Sequence, residues 1–437
     1  MIYVCDAIMG TGKSQSAITY MNEHKDQKFV YISPYLDEAE RIFNGCPDLC
    51  FEEPKKLWEF GGSKVKHTLS LLEQGKNIAT THQAFKMYDD DTLAAIREHG
   101  YSIIIDESLD MLECCDVSEG DIQLLLEAGY IEEDNGRYKL VKHDYNGAAF
   151  RDFMRRIRSQ YLTRVDAPTE EYGSSADETE SIRYKAKDGD IVRLFYWVLS
   201  PELLNSFNDV FILTYLFKSQ SLHHMLEIYN MEYKYIGIEM YEGGNGFRFC
   251  DCPGFTPEYV SKIKDMIEIV DNDKLNAIGD NETSLSVTWF SKRKKSGVET
   301  LKNNIYNVFR NVWCDSEAEN RMWSTYKSSK ESLKGRGYTT GFGALNLRAS
   351  NKFRDKKYLV YACNLYMNVT EKLYYLKNGI AVDDDQYALS IMIQWIWRSA
   401  IRDGEKIYLY LPSKRMRRIL MNWMNSLSAG GSAVASM

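Results

Sequence analysis

The sequence has no long apolar run. No stretch of about eighteen consecutive apolar residues occurs among its 437 residues, and a transmembrane helix needs about twenty. We therefore expect no membrane span and no membrane partner. The first residues also lack the basic and apolar segments of a secretory signal, because a strand-like run begins at Ile2. A cytoplasmic location follows as an expectation.

Paired metal-binding cysteine motifs are also missing. The nine cysteines include three closely spaced pairs, but none of these pairs combines with a second pair or with histidines in a zinc-binding spacing. We therefore expect reduced thiols and no zinc site. The pairs are Cys46/Cys50, Cys114/Cys115 and Cys250/Cys252.

What the sequence does contain is a phosphate-loop pattern at its start. A strand-like run from Ile2 is followed by A-x-x-x-x-G-K-S and then by a helix-like segment, which is the order of a Walker A motif. Glycines allow backbone N–H groups to face a polyphosphate, the lysine neutralises phosphate charge, and the serine hydroxyl can bind Mg²⁺. The alternative is a glycine turn that matches by chance. The predicted nucleotide-binding residues are Ala7, Met9, Gly10, Thr11, Gly12, Lys13 and Ser14.

Within Tyr101–Ser108 the sequence predicts another buried strand, with two acids, Asp106 and Glu107, at its carboxyl end. Asp106 is placed to hold Mg²⁺ together with Ser14, and Glu107 to orient or deprotonate an attacking water. Acids in this position can also cap the next helix. Strands and helices alternate through this half of the chain, and such alternation predicts a parallel sheet whose ligands bind at the carboxyl ends of the strands.

These segments resemble motifs of a known enzyme group. Ala7–Ser14, Thr80–Gln83 and Asp106–Glu107 resemble motifs I, Ib and II of superfamily 2 (DEAD/DEAH-like) helicases and translocases, and the chain resembles those carried by phages and prophages. The resemblance implies an α/β fold of two RecA-like P-loop NTPase domains with parallel sheets, with ATP and Mg²⁺ between them. It also implies that Thr81, His82 and Gln83 contact nucleic acid.

The second half contains a helix-like segment with arginines. Apolar spacing predicts one amphipathic helix over Gln386–Arg402. Gln394 and Arg398 resemble motif VI, and Arg402 comes one residue later than that motif has its second arginine. The resemblance implies that these three residues act with Glu107 in catalysis, Arg398 by stabilising transition-state charge.

Positive charge is concentrated in the same half. Residues 284–437 hold 25 Lys+Arg against 12 Asp+Glu, which favours contact with a polyanion, although a solvated basic face would look the same. A strand is predicted at Leu285–Phe290, delivering Lys292 and Arg293 to a phosphate backbone. Ala344–Ser350 resembles motif V in position, with Arg348 as a candidate nucleic-acid contact.

The domain prediction follows from these segments. Residues 1–110 and 209–240 are expected to form the first RecA-like domain, 111–208 an inserted accessory subdomain, 241–283 a linker with a bridging helix, 284–424 the second domain, and 425–437 a disordered tail. A helix and a hairpin are predicted within residues 121–141 of the insert. They fit a small winged-helix-like element or a simple packing element.

The predicted function is an ATP-dependent helicase or translocase that acts on nucleic acid, with single-stranded DNA expected before RNA. A role in phage replication or recombination, in the host cytoplasm and with phage replication proteins, is the corresponding expectation. The alternatives are a phage DNA-packaging type of motor ATPase and a nucleotide-switched binding protein that hydrolyses slowly.

Overall fold

The computed structural model describes residues 1–35, 37–168, 191–241, 246–252, 258–292, 295–347 and 351–428. Within these ranges the chain forms three larger sheets and one two-stranded sheet. The strands, in chain order, are β1 (Ile2–Asp6), β2 (Lys28–Ser33), β3 (Ile78–Thr81), β4 (Tyr101–Asp106), β5 (Leu112–Cys115), β6 (Ile131–Asp134), β7 (Arg137–Leu140), β8 (Gln160–Pro168), β9 (Ile191–Leu199), β10 (Val210–Thr214), β11 (Tyr233–Tyr235), β12 (Gly237–Met240), β13 (Phe247–Cys250), β14 (Ile267–Ile269), β15 (Arg321–Ser324), β16 (Tyr358–Tyr361) and β17 (Ile407–Tyr410).

Helices connect most of these strands. The α-helices of the described residues are α1 (Lys13–Glu23), α2 (Asp37–Gly45), α3 (Lys64–Glu73), α4 (His82–Phe85), α5 (Asp90–His99), α6 (Glu119–Glu127), α7 (Arg151–Arg156), α8 (Glu202–Asn205), α9 (Ser221–Ile228), α10 (Glu258–Met266), α11 (Asp273–Asn276), α12 (Val287–Lys292), α13 (Lys295–Asn307), α14 (Lys330–Leu333), α15 (Val369–Lys377), α16 (Asp384–Ile396) and α17 (Lys414–Ser428).

The first domain is built on a six-stranded sheet in the order β11-β1-β10-β4-β2-β3. All neighbouring strands pair in parallel. Every residue of β4 and β10 is buried, as expected for a parallel sheet covered by helices on both faces. β10 lies between β1 and β4. The loop after β1 and the acids at the end of β4 therefore lie at the same carboxyl end of the sheet, with β10 between them. The predicted α/β class is confirmed.

Between β4 and β10 the chain leaves this sheet and forms a second, antiparallel one. Its order is β5-β9-β8-β7-β6. The helix and hairpin predicted for residues 121–141 are present as α6 and β6–β7, and the turn residues Asn135 and Gly136 have φ of 51° and 77°, as a tight hairpin turn requires. Ile122 of α6 and Met154 of α7 pack with Trp197 of β9 on one face of this sheet.

The second domain has a four-stranded parallel sheet in the order β14-β17-β16-β15. β14 pairs with β17 and lies inside the segment predicted as a linker. The second sheet therefore begins before the predicted boundary at residue 284. A three-residue edge strand carries too little periodicity to be found from the sequence.

The strand predicted at Leu285–Phe290 is wrong. Leu285 is fully buried with φ of +65°, and α12 begins two residues later. The Ser286 hydroxyl and carbonyl accept hydrogen bonds from Trp289 N (3.3 Å) and Phe290 N (3.1 Å), which starts the helix. Packing of Leu285, Trp289 and Phe290 at helical spacing outweighs the β propensity of the residues between them.

Residues 425–428, predicted as the start of a disordered tail, are helical. α17 continues to Ser428, and Trp423, Met424 and Leu427 are buried in the core of the second domain. Residues 429–437 lie outside the described residues.

The two domains share parts of their cores. Ile8 and Tyr215 of the first domain pack into the hydrophobic cluster of the second, and the Trp423 indole N–H donates to the Tyr215 hydroxyl (2.8 Å). In the opposite direction, Tyr374 and Tyr375 of α15 pack into the core of the first domain. The domains therefore contact each other through specific side chains that each of them contributes.

Among the described helices, none combines the length and the apolar character needed to cross a membrane.

A buried histidine at this contact should make the protein acid-sensitive. His224 on α9 is 3% exposed and packs against Tyr375. Burial, with a smaller contribution from His223, lowers its pKa to about 4 against the opposing effect of Glu227. Because the unfolded chain takes up this proton at higher pH than the folded one, the free energy of unfolding should fall as the pH drops from about 6.5 toward 4.

Urea unfolding at pH 7 and pH 4.5 measures this effect. His224→Phe should remove about 2 kcal/mol of the acid-induced loss. His143→Gln, at an exposed position, is the matched control and should leave the loss unchanged. Equal losses in wild type and His224→Phe would contradict the assignment.

Candidate active site between the two domains

The loop after β1 has the conformation of a phosphate-binding loop. Gly10 and Gly12 have φ of 83° and 95°, where residues with a side chain are strained. The Thr11 hydroxyl donates to Ile8 O (2.8 Å) and closes the loop. α1 begins at Lys13, so the N–H groups of its first turn open toward the loop. This arrangement fits a polyphosphate.

The Lys13 ammonium lies inside this loop. It donates to the carbonyl oxygens of Ala7 and of Ile8 (3.0 Å). Burial lowers the pKa of Lys13, while Cys5 and the nearby acids Asp106, Asp6 and Glu107 act against that shift. Its hydrogen-bond partners among the described residues are thus uncharged, and a phosphate group would provide the missing negative charge.

Asp106 and Ser14 form a pair of oxygen ligands beside the loop. Asp106 Oδ2 accepts hydrogen bonds from the Tyr31 hydroxyl (2.6 Å) and the Ser14 hydroxyl (3.3 Å). Burial raises the pKa of Asp106 to about 6; the Tyr31 bond lowers it and the Glu107 charge raises it. Carboxylate and hydroxyl oxygens in this position fit a Mg²⁺ ion.

Glu107 is held in a strained conformation. Its φ is +62°, and its N–H donates to Leu213 O (2.9 Å). Glu107 Oε1 accepts a hydrogen bond from Arg398 Nη2 of the second domain (2.5 Å). Within the described part of the chain, Glu107 Oε2 and Arg398 Nε have no hydrogen-bond partner although both are buried. Strain and unmatched polar atoms are typical of functional sites.

The continuous helix predicted for Gln386–Arg402 is wrong. α16 ends at Ile396, because the Ser399 hydroxyl donates to Ile396 O (2.6 Å). Ser399 itself is extended, with φ of −90° and ψ of −171°. Arg398 therefore lies just beyond the helix rather than within it.

The chain then turns into a second, shorter helix. Ala400 N donates to Lys356 O (3.0 Å), a residue far away in sequence, instead of continuing the α-helical ladder. A 3₁₀ segment at Ala400–Asp403 follows and carries Arg402. Because of this break, Arg398 and Arg402 lie on different segments of the chain.

One cavity of about 420 Å³ joins the residues of both domains. Arg402 at its rim is exposed and donates to Asn351 Oδ1 (2.8 Å). Two predicted residues of the phosphate loop, Ala7 and Thr11, do not line this cavity. The predicted residues that line the cavity are Met9, Gly10, Gly12, Lys13, Ser14, Asp106, Glu107, Gln394, Arg398 and Arg402.

Asp6 is a site residue that the sequence analysis missed. Its carboxylate oxygens accept hydrogen bonds from Leu216 N (2.8 Å) and Phe217 N (3.0 Å). Burial raises the pKa of Asp6 to about 6 despite these two bonds. Asp6 thus ties the end of β1 to the turn after β10. The sequence did offer a signal for Asp6, because it is an acid at the end of a buried strand, as Asp106 is.

Phe247 is a second missed residue. It comes from the β12–β13 hairpin, and its ring covers Gly12: a Cβ added there would lie 2.5 Å from Phe247 Cγ. Phe247 also lines the cavity. The segment carrying it was predicted as a linker, so no sequence pattern connected it to the loop.

Comparison with known proteins adds to this geometry. Residues 261–424 match the family described as the YonV C-terminal Rossmann-like domain. The SPbeta prophage-derived protein YonV of Bacillus subtilis (strain 168) is 32% identical over 433 residues, which cover 97% of this chain and 99% of that protein. The chain belongs to the YonV family.

A solved structure is similar at greater distance. Xpd4 of S. tokodaii matches with a TM-score of 0.43 and 11% identity, over 97% of this chain and 94% of that one.

The predicted nucleic-acid residues of this YonV family protein lie in different environments. The Thr81 hydroxyl caps α4, and His82 is buried, with Nε2 donating to the backbone oxygen of Asp106 (3.0 Å). Gln83 is exposed beside them, and Lys292 is exposed at the end of α12. The other two predicted contacts, Arg293 and Arg348, lie outside the described residues.

A second cavity of about 580 Å³ adjoins His82, Gln83 and Gln394. It is also lined by three carboxylates, Asp110, Glu113 and Glu371. Burial, together with the charges of the other two acids, raises the pKa of Glu371 to about 7. Because these acids repel phosphate groups, we expect the phosphate contacts of a nucleic acid to lie elsewhere.

The Glu107–Arg398 ion pair should couple the domains energetically. Their side chains are only 25% and 12% exposed, so we expect a coupling free energy of about 1–3 kcal/mol in a double-mutant cycle. The cycle uses Glu107→Ala, Arg398→Ala and the double variant, with urea unfolding in the absence of nucleotide.

The exposed pair Arg354–Asp403, at 56% and 33% exposure, is the matched control. It should show a coupling below about 1 kcal/mol. A Glu107–Arg398 coupling no larger than that of the control would show that the contact does not hold the domains together.

Proposed function

We propose that this YonV family protein is an ATP-dependent motor, a helicase or translocase, that acts on nucleic acid. One observation carries the proposal. Lys13 and Ser14 of the first domain lie in the same cleft as Arg398 of the second, with Glu107 between them. A cleft built from both domains can convert nucleotide binding into a change in domain arrangement.

ATP is the proposed substrate and Mg²⁺ the proposed metal. Backbone N–H groups of the loop from Gly10 to Ser14 would bind phosphate oxygens, and Lys13 would neutralise their charge. Ser14 and Asp106 would hold Mg²⁺, which when bound supplies neutralisation of phosphate charge. The buried ammonium with uncharged partners supports this assignment.

Glu107 and Arg398 would control turnover. Glu107 is proposed to orient or deprotonate the attacking water, and Arg398 to stabilise charge on the transferred group. In the structure each of these residues binds the other. A bound triphosphate would compete with Glu107 for Arg398, so the carboxylate becomes available only when both domains contact the nucleotide.

We propose single-stranded DNA as the track. The relative YonV is prophage-derived, and we extend that context to this chain as phage replication or recombination in the host cytoplasm, with phage replication proteins as partners. Binding through phosphates should be salt-sensitive and weakly sequence-specific.

A packaging motor is less consistent with the structure. Such a motor would need a nuclease site, and the acid cluster at Asp383–Asp385 was the candidate. Asp383 caps α16, Asp384 binds Met367 N and Lys372, and Asp385 binds Arg415. All three carboxylates therefore have structural partners.

A nucleotide switch that hydrolyses slowly is the second candidate. The Glu107–Arg398 pair favours it, because the pair withholds both residues from catalysis until it opens. Nucleic acid distinguishes the two proposals: a motor should hydrolyse ATP faster when single-stranded DNA is added, and a switch need not.

Three variants test the active site. Lys13→Ala should abolish ATP binding, since the phosphates lose their main counter-charge. Glu107→Gln should retain binding and lose turnover. Arg398→Ala should leave affinity nearly unchanged and lower kcat by about 10³. Binding is measured by calorimetry, and turnover by phosphate release with and without DNA.

Arg354→Ala, an exposed arginine of the same domain, is the control for Arg398→Ala and should retain normal turnover. Undiminished turnover in both Lys13→Ala and Glu107→Gln would refute the active-site assignment. A wild-type protein that shows no turnover with any nucleic acid would refute the motor.

A further inference from the structure

A tryptophan side chain is almost completely exposed on the first domain. Trp58 is 90% exposed and lies in a 3₁₀ turn, Trp58–Phe60, between α2 and α3. An indole is one of the most favourable side chains to bury. Its exposure leaves the ring face open to stack against a partner.

The turn that carries Trp58 is well ordered by hydrogen bonds. Leu57 O accepts from Phe60 N (3.2 Å) and from Gly62 N (2.9 Å), and Trp58 O accepts from Gly61 N (2.9 Å). The Phe60 ring stacks on His67 of α3, with centroids 4.9 Å apart. The backbone is thus fixed on the domain while the indole points away from it.

The topology places this turn at the carboxyl end of the strands of the sheet. Glu52 forms a parallel bridge with Ile78 of β3, so the chain runs beside β3 toward its carboxyl end. β3 ends at Thr81, which precedes His82 and Gln83. The Trp58 turn therefore lies at the carboxyl end of the sheet. These three residues and the nucleotide cleft lie at the same end.

Lysines flank the tryptophan in the sequence. Residues 54–67 contain four lysines and one acid, in a part of the chain (1–283) that holds 29 Lys+Arg against 50 Asp+Glu. Lys64 pairs with Glu53 (3.6 Å). In the part of the chain that the structure describes, the exposed Lys55, Lys56 and Lys66 form no ion pair, so their charges are available to a partner.

We propose that the Trp58 turn is a stacking platform for single-stranded nucleic acid, with a base on the indole and the backbone phosphates on Lys55 and Lys56. This inference rests on the proposed function and adds a binding site to it. An exposed aromatic ring beside free cations is the combination that binds single strands without sequence preference. A protein partner is disfavoured, because the patch is a single ring among cations rather than a broad apolar surface.

Equilibrium binding of a labelled oligo(dT) over a range of salt concentrations tests this site. Trp58→Ala should weaken binding by about 5- to 100-fold, the effect of losing one base stack. The dependence of affinity on salt should stay unchanged, because no phosphate contact is lost. Trp58→Phe keeps an aromatic ring and should restore most of the affinity.

The lysines should have the complementary effect. Replacing Lys55 and Lys56 together by alanine should reduce the slope of log affinity against log salt by about 1.4, since each single-strand phosphate contact contributes about 0.7. Leu124→Ala, which removes a 55%-exposed apolar side chain from the insert, is the matched control and should bind as wild type does.

The outcomes separate this inference from the proposed function. If wild type binds oligo(dT) and Trp58→Ala binds within twofold of it, the platform is refuted while the motor stands. If wild type binds no nucleic acid with or without nucleotide, both are refuted and the indole belongs to a protein contact.

Discussion

The ion pair between Glu107 and Arg398 joins the two domains inside the cleft that they form. It is the point where the strand carrying the acidic pair meets the second domain. The pair is incomplete, because one buried polar atom of each residue has no partner within the described residues, and Glu107 is held at a positive φ. An interaction with strain and unused hydrogen-bonding capacity can be replaced by a ligand at low cost. This property makes the cleft a suitable place for a nucleotide to change the domain arrangement.

Packing around the cleft limits how the domains can move. Ile8, in the phosphate loop, packs into the core of the second domain, and Tyr215, after β10, accepts a hydrogen bond from Trp423. Asp6 binds the backbone just after Tyr215. The phosphate loop and the helix α17 are therefore linked through two contacts. A shift of the loop on nucleotide binding would be transmitted to the second domain by side chains already in contact, because packed cores have discrete arrangements rather than continuous ones.

Local patterns predicted the parts of the site that depend on local chemistry. The strand, loop and helix around Lys13 and the acids after β4 were found because their residue types leave few alternatives. The path to Arg402 was not, since beyond α16 the Ala400 N–H donates to Lys356 O, a contact that no local pattern reveals. The strand expected at Leu285–Phe290 failed because tertiary packing overrode propensity. Phe247 was missed because its relation to Gly12 exists only in three dimensions.

An experimental structure of the Glu107→Gln protein with bound Mg²⁺ and ATP would show whether the nucleotide binds between the two domains. We expect the phosphates on the loop from Gly10 to Ser14, and the Arg398 guanidinium moved from residue 107 to the terminal phosphate. A nucleotide bound at another place, or one bound on the loop while Arg398 remains distant from it, would refute the proposed two-domain site.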